Sequence, residues 1–188
     1  MKNFTLYLII ILTGLLTTSC QKEDLYNDEA EARNASVFIY DSFLVGSWKI
    51  NSMIVNKDVD LNGDEDHNKD LLQETSCFGT MGFEFKANKT FTMVNGALDL
   101  KARDQKDVYS CGTDKVFAGS WSLKNDVLYL YTKINYQIVE HKIHLILTED
   151  TFAFEVNDFE SNEFLNDQGG TTASGLKVVS LEYARKAK

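Results

Sequence analysis

Residues 83–92 read FEFKANKTFT, and this stretch decides the fold class. Apolar and polar side chains alternate on both sides of Ala87-Asn88-Lys89, which is the pattern of two half-buried strands joined by a tight turn. Residues 119–128 read GSWSLKNDVL and repeat the arrangement around a turn at 124–126. Both stretches therefore predict antiparallel β-hairpins.

The same alternation extends outward along the chain. A first strand places four alternate side chains on one face: Trp48, Ile50, Ser52 and Ile54. Further strands are predicted at 127–131, 136–147, 152–156 and 176–183. No internal helix is convincing, and the polar segment 157–175 predicts a flexible loop or a lid.

These patterns predict one all-β domain over residues 44–188. About eight antiparallel strands would form a meander that closes into a barrel, because closure removes exposed strand edges. A β-sandwich is the alternative, since the number of strands does not separate the two architectures.

Three motifs resemble those of one known family. Gly46-Ser47-Trp48 resembles the Gly-x-Trp signature of lipocalins, whose Trp packs across one end of the barrel. Residues 83–92 and 119–128 resemble two hairpins of the lipocalin-like lipoproteins of Bacteroidota, with Lys89 at a turn position that is usually glycine. The resemblance covers residues 44 to about 156. It implies a lipocalin-like barrel and no single function, because one fold serves many functions.

The first nineteen residues have the layout of an export signal. Lys2 precedes an apolar run at 4–16, and small residues at 17–19 lead to Cys20. The apolar run is shorter than the roughly 20 residues that span a bilayer. Cys20 resembles the lipidated cysteine of a lipobox, although Thr17 stands where that motif usually has Leu. We therefore expect acyl chains on Cys20 to anchor the mature protein in a membrane.

Residues 20–43 are predicted to form the lipidated start and an acidic tether. Lys22, Glu23 and Asp24 resemble the surface-export signal of Bacteroidota lipoproteins, which predicts an outer-membrane protein at the cell surface. An inward-facing outer-membrane lipoprotein is the alternative. The formal net charge of -9 makes nucleic acid an unfavourable partner, because phosphate binding needs a basic surface.

Two cysteines remain, Cys77 and Cys111, where the lipocalin-like family often has a pair. Export places them in an oxidising compartment and favours a disulfide between them. Closing a loop of roughly 34 residues would stabilise the fold by about 3.5–4 kcal/mol on the chain-entropy estimate. Two separate buried thiols are the alternative.

The acidic segment 58–70 resembles a calcium-binding loop of the EF-hand type. Its residues follow the spacing of positions 1, 3, 5, 7 and 9, with Asp64 at position 7 offering its backbone carbonyl, and Gly63 fits the sharp turn at position 6. Position 12, which should be acidic, is Lys69. A weak Ca²⁺ site and a solvated acidic turn both fit this pattern. The candidate ligands are Asp58, Asp60, Asn62, Asp64 and Asp66.

No catalytic motif stands out, and we expect no enzyme. His141 and His144 are three residues apart on a predicted strand, so they point to opposite faces and do not suit one zinc ion. Eight large aromatic side chains occupy inward positions and can either fill the barrel or line a cavity. They are Trp48, Phe83, Phe85, Phe91, Phe117, Trp121, Phe152 and Phe154.

Two functions follow from these expectations. A hollow barrel would bind a small apolar ligand or a glycan at the cell surface. A filled barrel would act through its loops on a protein partner, such as an outer-membrane complex.

Overall fold

The computed structural model describes residues 41–103 and 106–186. The predicted signal at 1–19, Cys20, and the export residues Lys22, Glu23 and Asp24 lie outside this part of the chain. Among the described residues, no helix has the length and apolar character needed to cross a membrane.

Strands make up more than half of the described chain. A helical segment α1 at 41–44 precedes β1, and two short helices, α2 (Leu71–Glu74) and α3 (Asp158–Ser161), interrupt the strands. The thirteen strands, in chain order, are β1 (Gly46–Val59), β2 (Asn68–Asp70), β3 (Gly82–Phe85), β4 (Thr90–Asn95), β5 (Leu98–Arg103), β6 (Lys106–Cys111), β7 (Lys115–Lys124), β8 (Val127–Ile134), β9 (Gln137–His144), β10 (Ile146–Leu147), β11 (Thr151–Glu155), β12 (Leu165–Asp167) and β13 (Val178–Arg185).

A strongly curled antiparallel sheet confirms the predicted fold class. Its strand order is β10-β11-β13-β1-β3-β4-β7-β8-β9, with β2 paired to β1. Without the two-residue β10, this path contains the expected eight strands. The expectation of no internal helix was wrong, because Asp70 and Asn157 cap the single turns α2 and α3 through their side chains.

The first strand departs from the predicted alternation after Ile50. Trp48 and Ile50 point into the core as expected, but the next buried side chains are Met53 and Val55, and Ser52 and Ile54 are only partly buried. The register between β1 and β13 shifts between Ile50 and Ser52. A β-bulge inserts one extra residue and thereby moves the following side chains to the other face.

The predicted long strand 136–147 is divided into β9 and β10 at the buried Leu145. β9 pairs with β8, whereas β10 pairs with β11. Among the described strands, no ladder joins β9 to β11, so the sheet is a half-barrel with an open side. The chain itself passes across this opening at Leu145.

The motif residues have clear backbone roles. Lys89 adopts a positive φ of 64°, the conformation that glycine takes easily in such a turn. Gly46 has φ 136°. A Cβ atom on Gly119 would lie 2.0 Å from the carbonyl oxygen of Tyr131, so only glycine allows β7 and β8 to approach this closely.

A second sheet has three strands in the order β12-β5-β6. Its strands β5 and β6 lie between β4 and β7 in the chain, whereas β12 follows α3. The Cys77–Cys111 disulfide joins the chain ahead of β3 to the last residue of β6 and confirms the predicted pairing. β12 pairs in parallel with β5, with Leu165 opposite the buried Leu98. The segment predicted as a flexible loop, 157–175, therefore contains a helix, a strand and buried side chains.

Candidate functional site: a cavity in the half-barrel

Aromatic rings fill one end of the half-barrel. Trp48 packs edge-on against Phe152 at 5.0 Å between ring centroids, and Phe85 packs edge-on against Trp121 at 5.3 Å. Edge-to-face packing of this kind is favourable beyond the buried area alone. We call this cluster the aromatic plug. Its members are Phe43, Trp48, Phe85, Trp121 and Phe152.

Two cations cover the aromatic plug. The Arg185 guanidinium lies 4.3 Å from the Trp48 ring centroid and donates hydrogen bonds to the carbonyls of Phe43 and Val45. The Trp48 indole donates to the carbonyl of Leu44 at 2.7 Å. On the other side, the Lys89 ammonium lies 4.1 Å above Trp121. The predicted signature tryptophan therefore seals this end of the barrel.

The half-barrel is hollow beyond the aromatic plug. A cavity of about 860 Å³ lies between the curled sheet and α3. This volume is in the range of small-molecule binding sites, which are mostly apolar with a few placed polar groups. Most of the inner wall is apolar, and it includes Phe83, Phe91, Met93, Phe117, Leu130, Ile143, Phe154 and Leu181.

The eight predicted inward aromatics divide between the two ends. Trp48, Phe85, Trp121 and Phe152 are buried in the plug, whereas Phe83 and Phe91 are buried and also border the cavity. Phe117 and Phe154 are only partly buried and face the cavity. Some of the eight aromatic side chains therefore pack in the core and others line the cavity, so each of the two predictions holds for part of the group.

Two uncharged polar side chains of the cavity lining are buried in the apolar wall. Asn95 ends β4, and Thr132 lies on β8 next to the inward Leu130; their exposed fractions are 9% and 8%. The Asn95 Oδ1 atom is buried and has no hydrogen-bond partner within the described chain. Sequence reasoning missed Asn95, although the alternation Phe91, Met93, Asn95 continues the inward face of β4.

Carboxylates surround the mouth of the cavity. Asp126, Glu155, Glu160 and Glu163 line it, and Lys142 is the one lysine or arginine among the described lining residues. The Lys142 ammonium is already paired with Glu140 at 3.2 Å, and this neighbour raises the pKa of Lys142. Glu163 is likewise paired, with Lys115 at 2.9 Å, so Asp126, Glu155 and Glu160 give the mouth its negative balance of charge.

Helix α3 forms part of this mouth. The Asn157 side chain accepts from the Glu160 backbone N–H, and the Glu160 carboxylate accepts from the Asn157 backbone N–H, both at 3.0 Å. This is a capping box, which the Asn-x-x-Glu spacing at 157–160 could have predicted. The Ser161 hydroxyl accepts from the Val178 backbone N–H and ties α3 to β13.

Aspartates hold the rest of the segment 157–175 against the small sheet. The Asp167 carboxylate accepts from the backbone N–H groups of Gly169 and Gly175, each at 2.8 Å. The Asp107 carboxylate accepts from both the hydroxyl and the backbone N–H of Thr172. These hydrogen bonds lower the pKa of Asp107 and that of Asp167.

The predicted calcium loop closes on its own backbone. The two carboxylate oxygens of Asp60 accept from the N–H groups of Gly63 and Glu65, at 2.7 and 3.1 Å, and the Asn62 and Asp64 side chains accept similarly two residues ahead. The buried Glu74 carboxylate accepts from the backbone N–H of Leu61 at 2.8 Å. In the described part of the chain, no group of three or more His, Cys, Asp or Glu side chains is placed to hold a metal ion. Calcium binding through Asp58, Asp60, Asn62, Asp64 and Asp66 stays a prediction from the sequence.

The chain also matches a known protein family. A family model described as a lipocalin-like domain matches residues 44–163, which is more than half of the chain. The chain belongs to the lipocalin-like domain family. Neither the curated proteins nor the solved structures gave a match. The resemblance predicted from Gly46, Trp48 and the two hairpins is thereby confirmed at the level of the family.

Lipocalin-like domains are in general non-enzymatic folds that bind small hydrophobic ligands. In this lipocalin-like domain the matched residues include the aromatic plug from Trp48 onward, most of the cavity wall and helix α3. The match ends at Glu163, so β12, the loop 168–175 and β13 lie beyond it.

Proposed function

We propose that this protein is a lipid-anchored lipocalin-like binding protein of the outer membrane, exposed at the cell surface, whose cavity takes a small apolar ligand. The signal-like residues 1–19, Cys20 and the following Lys22-Glu23-Asp24 support the anchor and the location. The ligand-binding part of the proposal is carried by one observation, the apolar cavity in the half-barrel.

The cavity favours an apolar ligand over a glycan. Phenyl, thioether and branched aliphatic side chains make up most of its inner wall, and the uncharged polar groups are few. Burial of apolar ligand surface contributes roughly 25 cal/mol per Å². A glycan would instead need many hydrogen-bond partners for its hydroxyl groups, because buried polar groups without partners cost free energy.

The ligand-binding proposal is tested by a substitution that reduces the volume of the cavity. Nile red, an uncharged apolar dye, should bind the purified protein and fluoresce more strongly. Met93 faces inward, opposite the buried Phe83, so Met93→Trp places a large ring in the cavity and should reduce dye affinity at least tenfold.

The neighbouring Thr92 supplies the matched control. Thr92 pairs with the exposed Glu84 and lies on the outer face of the same strand, so Thr92→Trp should leave dye binding unchanged. Circular dichroism checks that both variants keep the sheet. No dye binding to the wild type, or equal loss in the two variants, would contradict the proposal.

A second function, interaction with an outer-membrane protein, is favoured by one exposed hairpin. The hairpin of β8 and β9 carries Ile134, Tyr136 and Ile138 at and beside its turn, and these side chains are 40%, 93% and 74% exposed. Exposed apolar side chains in a group often mark interaction surfaces. Changing Tyr136 and Ile138 to serine should abolish a complex seen by cross-linking on the intact cell surface and leave Nile red binding unchanged. A cross-linked complex that survives both substitutions would remove this candidate.

A further inference from the structure

Among the described residues of the cavity wall, only Asn95 has a buried side-chain oxygen without a hydrogen-bond partner. Its exposed fraction is 9%, and Oδ1 has no hydrogen-bond donor within the described chain. A buried acceptor without a donor costs free energy unless a ligand or water supplies one. The residue also lines the cavity. A ligand that brings a donor can therefore recover this cost.

The Asn95 amide can turn toward such a ligand. It ends β4 opposite Lys115, and its terminal torsion has a broad, roughly two-fold profile, so rotation presents either edge of the amide to the cavity. An amide both accepts and donates hydrogen bonds. A hydroxyl or an amide N–H group on the ligand matches it, whereas an ether oxygen offers no donor.

The charges at the mouth limit the head group further. Asp126, Glu155 and Glu160 would repel a carboxylate, whereas Glu163 is paired with Lys115 at 2.9 Å and the Lys142 ammonium is engaged by Glu140. A cationic head would be attracted to the mouth, but it would lose its hydration beside the buried Asn95 in a mostly apolar wall. The remaining class is an uncharged molecule.

We propose that the cavity takes an uncharged apolar molecule with a hydroxyl or amide N–H group, and that Asn95 is the residue that binds this group. This inference rests on the proposed function, since it uses the same cavity. It adds the chemical class of the ligand and its specificity-determining residue.

Three probes with the same twelve-carbon chain test the assignment by displacing Nile red: 1-dodecanol, its methyl ether and laurate at pH 8. The two uncharged probes differ in the hydroxyl donor. Their affinity ratio, alcohol over ether, should be about three- to tenfold higher in the wild type than in Asn95→Leu, which corresponds to one hydrogen bond. Laurate should bind more weakly than 1-dodecanol.

Two further measurements separate binding from packing. Met93→Leu changes an apolar neighbour on the same inward face at similar volume, so it should keep the wild-type ratio. Without ligand, Asn95→Leu should unfold about 2–4 °C higher than the wild type, because an unpaired buried amide is removed. A lower unfolding temperature would show that Asn95 is already paired and would overturn the inference.

The possible failures are distinguishable. If Nile red binds and the alcohol-to-ether ratio is the same in the wild type and in Asn95→Leu, the assignment of Asn95 is overturned and the binding function stands. If laurate binds tightest, the uncharged class is overturned. If neither the dye nor any probe binds the wild type, the proposed function fails and the inference falls with it.

Discussion

The two ends of the half-barrel use the same kind of residue for different purposes. At the aromatic plug, Trp48 is 2% exposed, its indole N–H has a partner, and Arg185 covers its outer face. At the cavity, Phe117 is only partly buried and faces open space. The difference shows that an inward aromatic contributes to stability or to a binding surface according to what surrounds it.

Truncation of the plug should have the largest effect. Trp48→Ala removes a fully packed ring and leaves a void beside Phe43 and Phe152, so we expect a loss of about 3–5 kcal/mol in the free energy of unfolding. Urea unfolding measures it. Phe117→Ala is the matched variant for the hollow end and should cost about 1 kcal/mol, since a half-buried ring loses less transfer free energy. Equal losses for the two variants would contradict the comparison.

Loss of the disulfide should have the next largest effect. Replacing Cys77 and Cys111 together by serine frees a loop of 34 residues and should destabilise the fold by about 3.5–4 kcal/mol. The bond joins β6 of the small sheet to the chain ahead of β3, whose Phe83 lines the cavity, so Nile red affinity should also fall. Trp48→Ala, compared at a temperature where it stays folded, should retain more of the dye affinity. A double variant with wild-type dye affinity would show that the small sheet does not support the cavity.

Acid should slightly lower the free energy of unfolding through Asp167, which lies beyond the family match that ends at Glu163. The pKa of Asp167 is lowered by the N–H groups that it accepts in the folded state, so its stabilising effect is complete above its ordinary value of 3.8. The effect is lost as the pH falls through the lowered value. Asp167→Asn should therefore destabilise the protein at pH 6, by less than about 1 kcal/mol because the site is exposed, and should match the wild type near pH 2.

Urea unfolding at both pH values provides this test. Glu84→Gln, on the outer face of β3, is the control and should show no such difference between the two conditions. A penalty for Asp167→Asn that persists near pH 2 would mean that Asp167 stabilises the fold by a contact other than its ionised hydrogen bonds.

The sequence by itself determined the strand pattern, the turns and the family. The alternation at 83–92 and 119–128 depends on neighbouring residues only, because side chains on a strand point to opposite faces in turn. The motif residues Gly46 and Trp48 and the turn residue Lys89 can likewise be recognised from their immediate neighbours in the sequence. The cysteine pair was predicted from the family resemblance, and the Cys77–Cys111 disulfide confirms it. The alternation of Phe91 and Met93 extends to Asn95, but the sequence alone did not identify Asn95 as a site residue.

Only the tertiary structure decided which inward residues meet a void. The bulge after Ile50 reassigns the inward face of β1, and the break at Leu145 leaves one side of the sheet open. Asn95 is unpaired because no donor from β7, β8 or the described segment around α3 reaches it. These outcomes depend on curvature and on contacts between distant parts of the chain. Packing of the whole sheet sets both, and no local pattern encodes them.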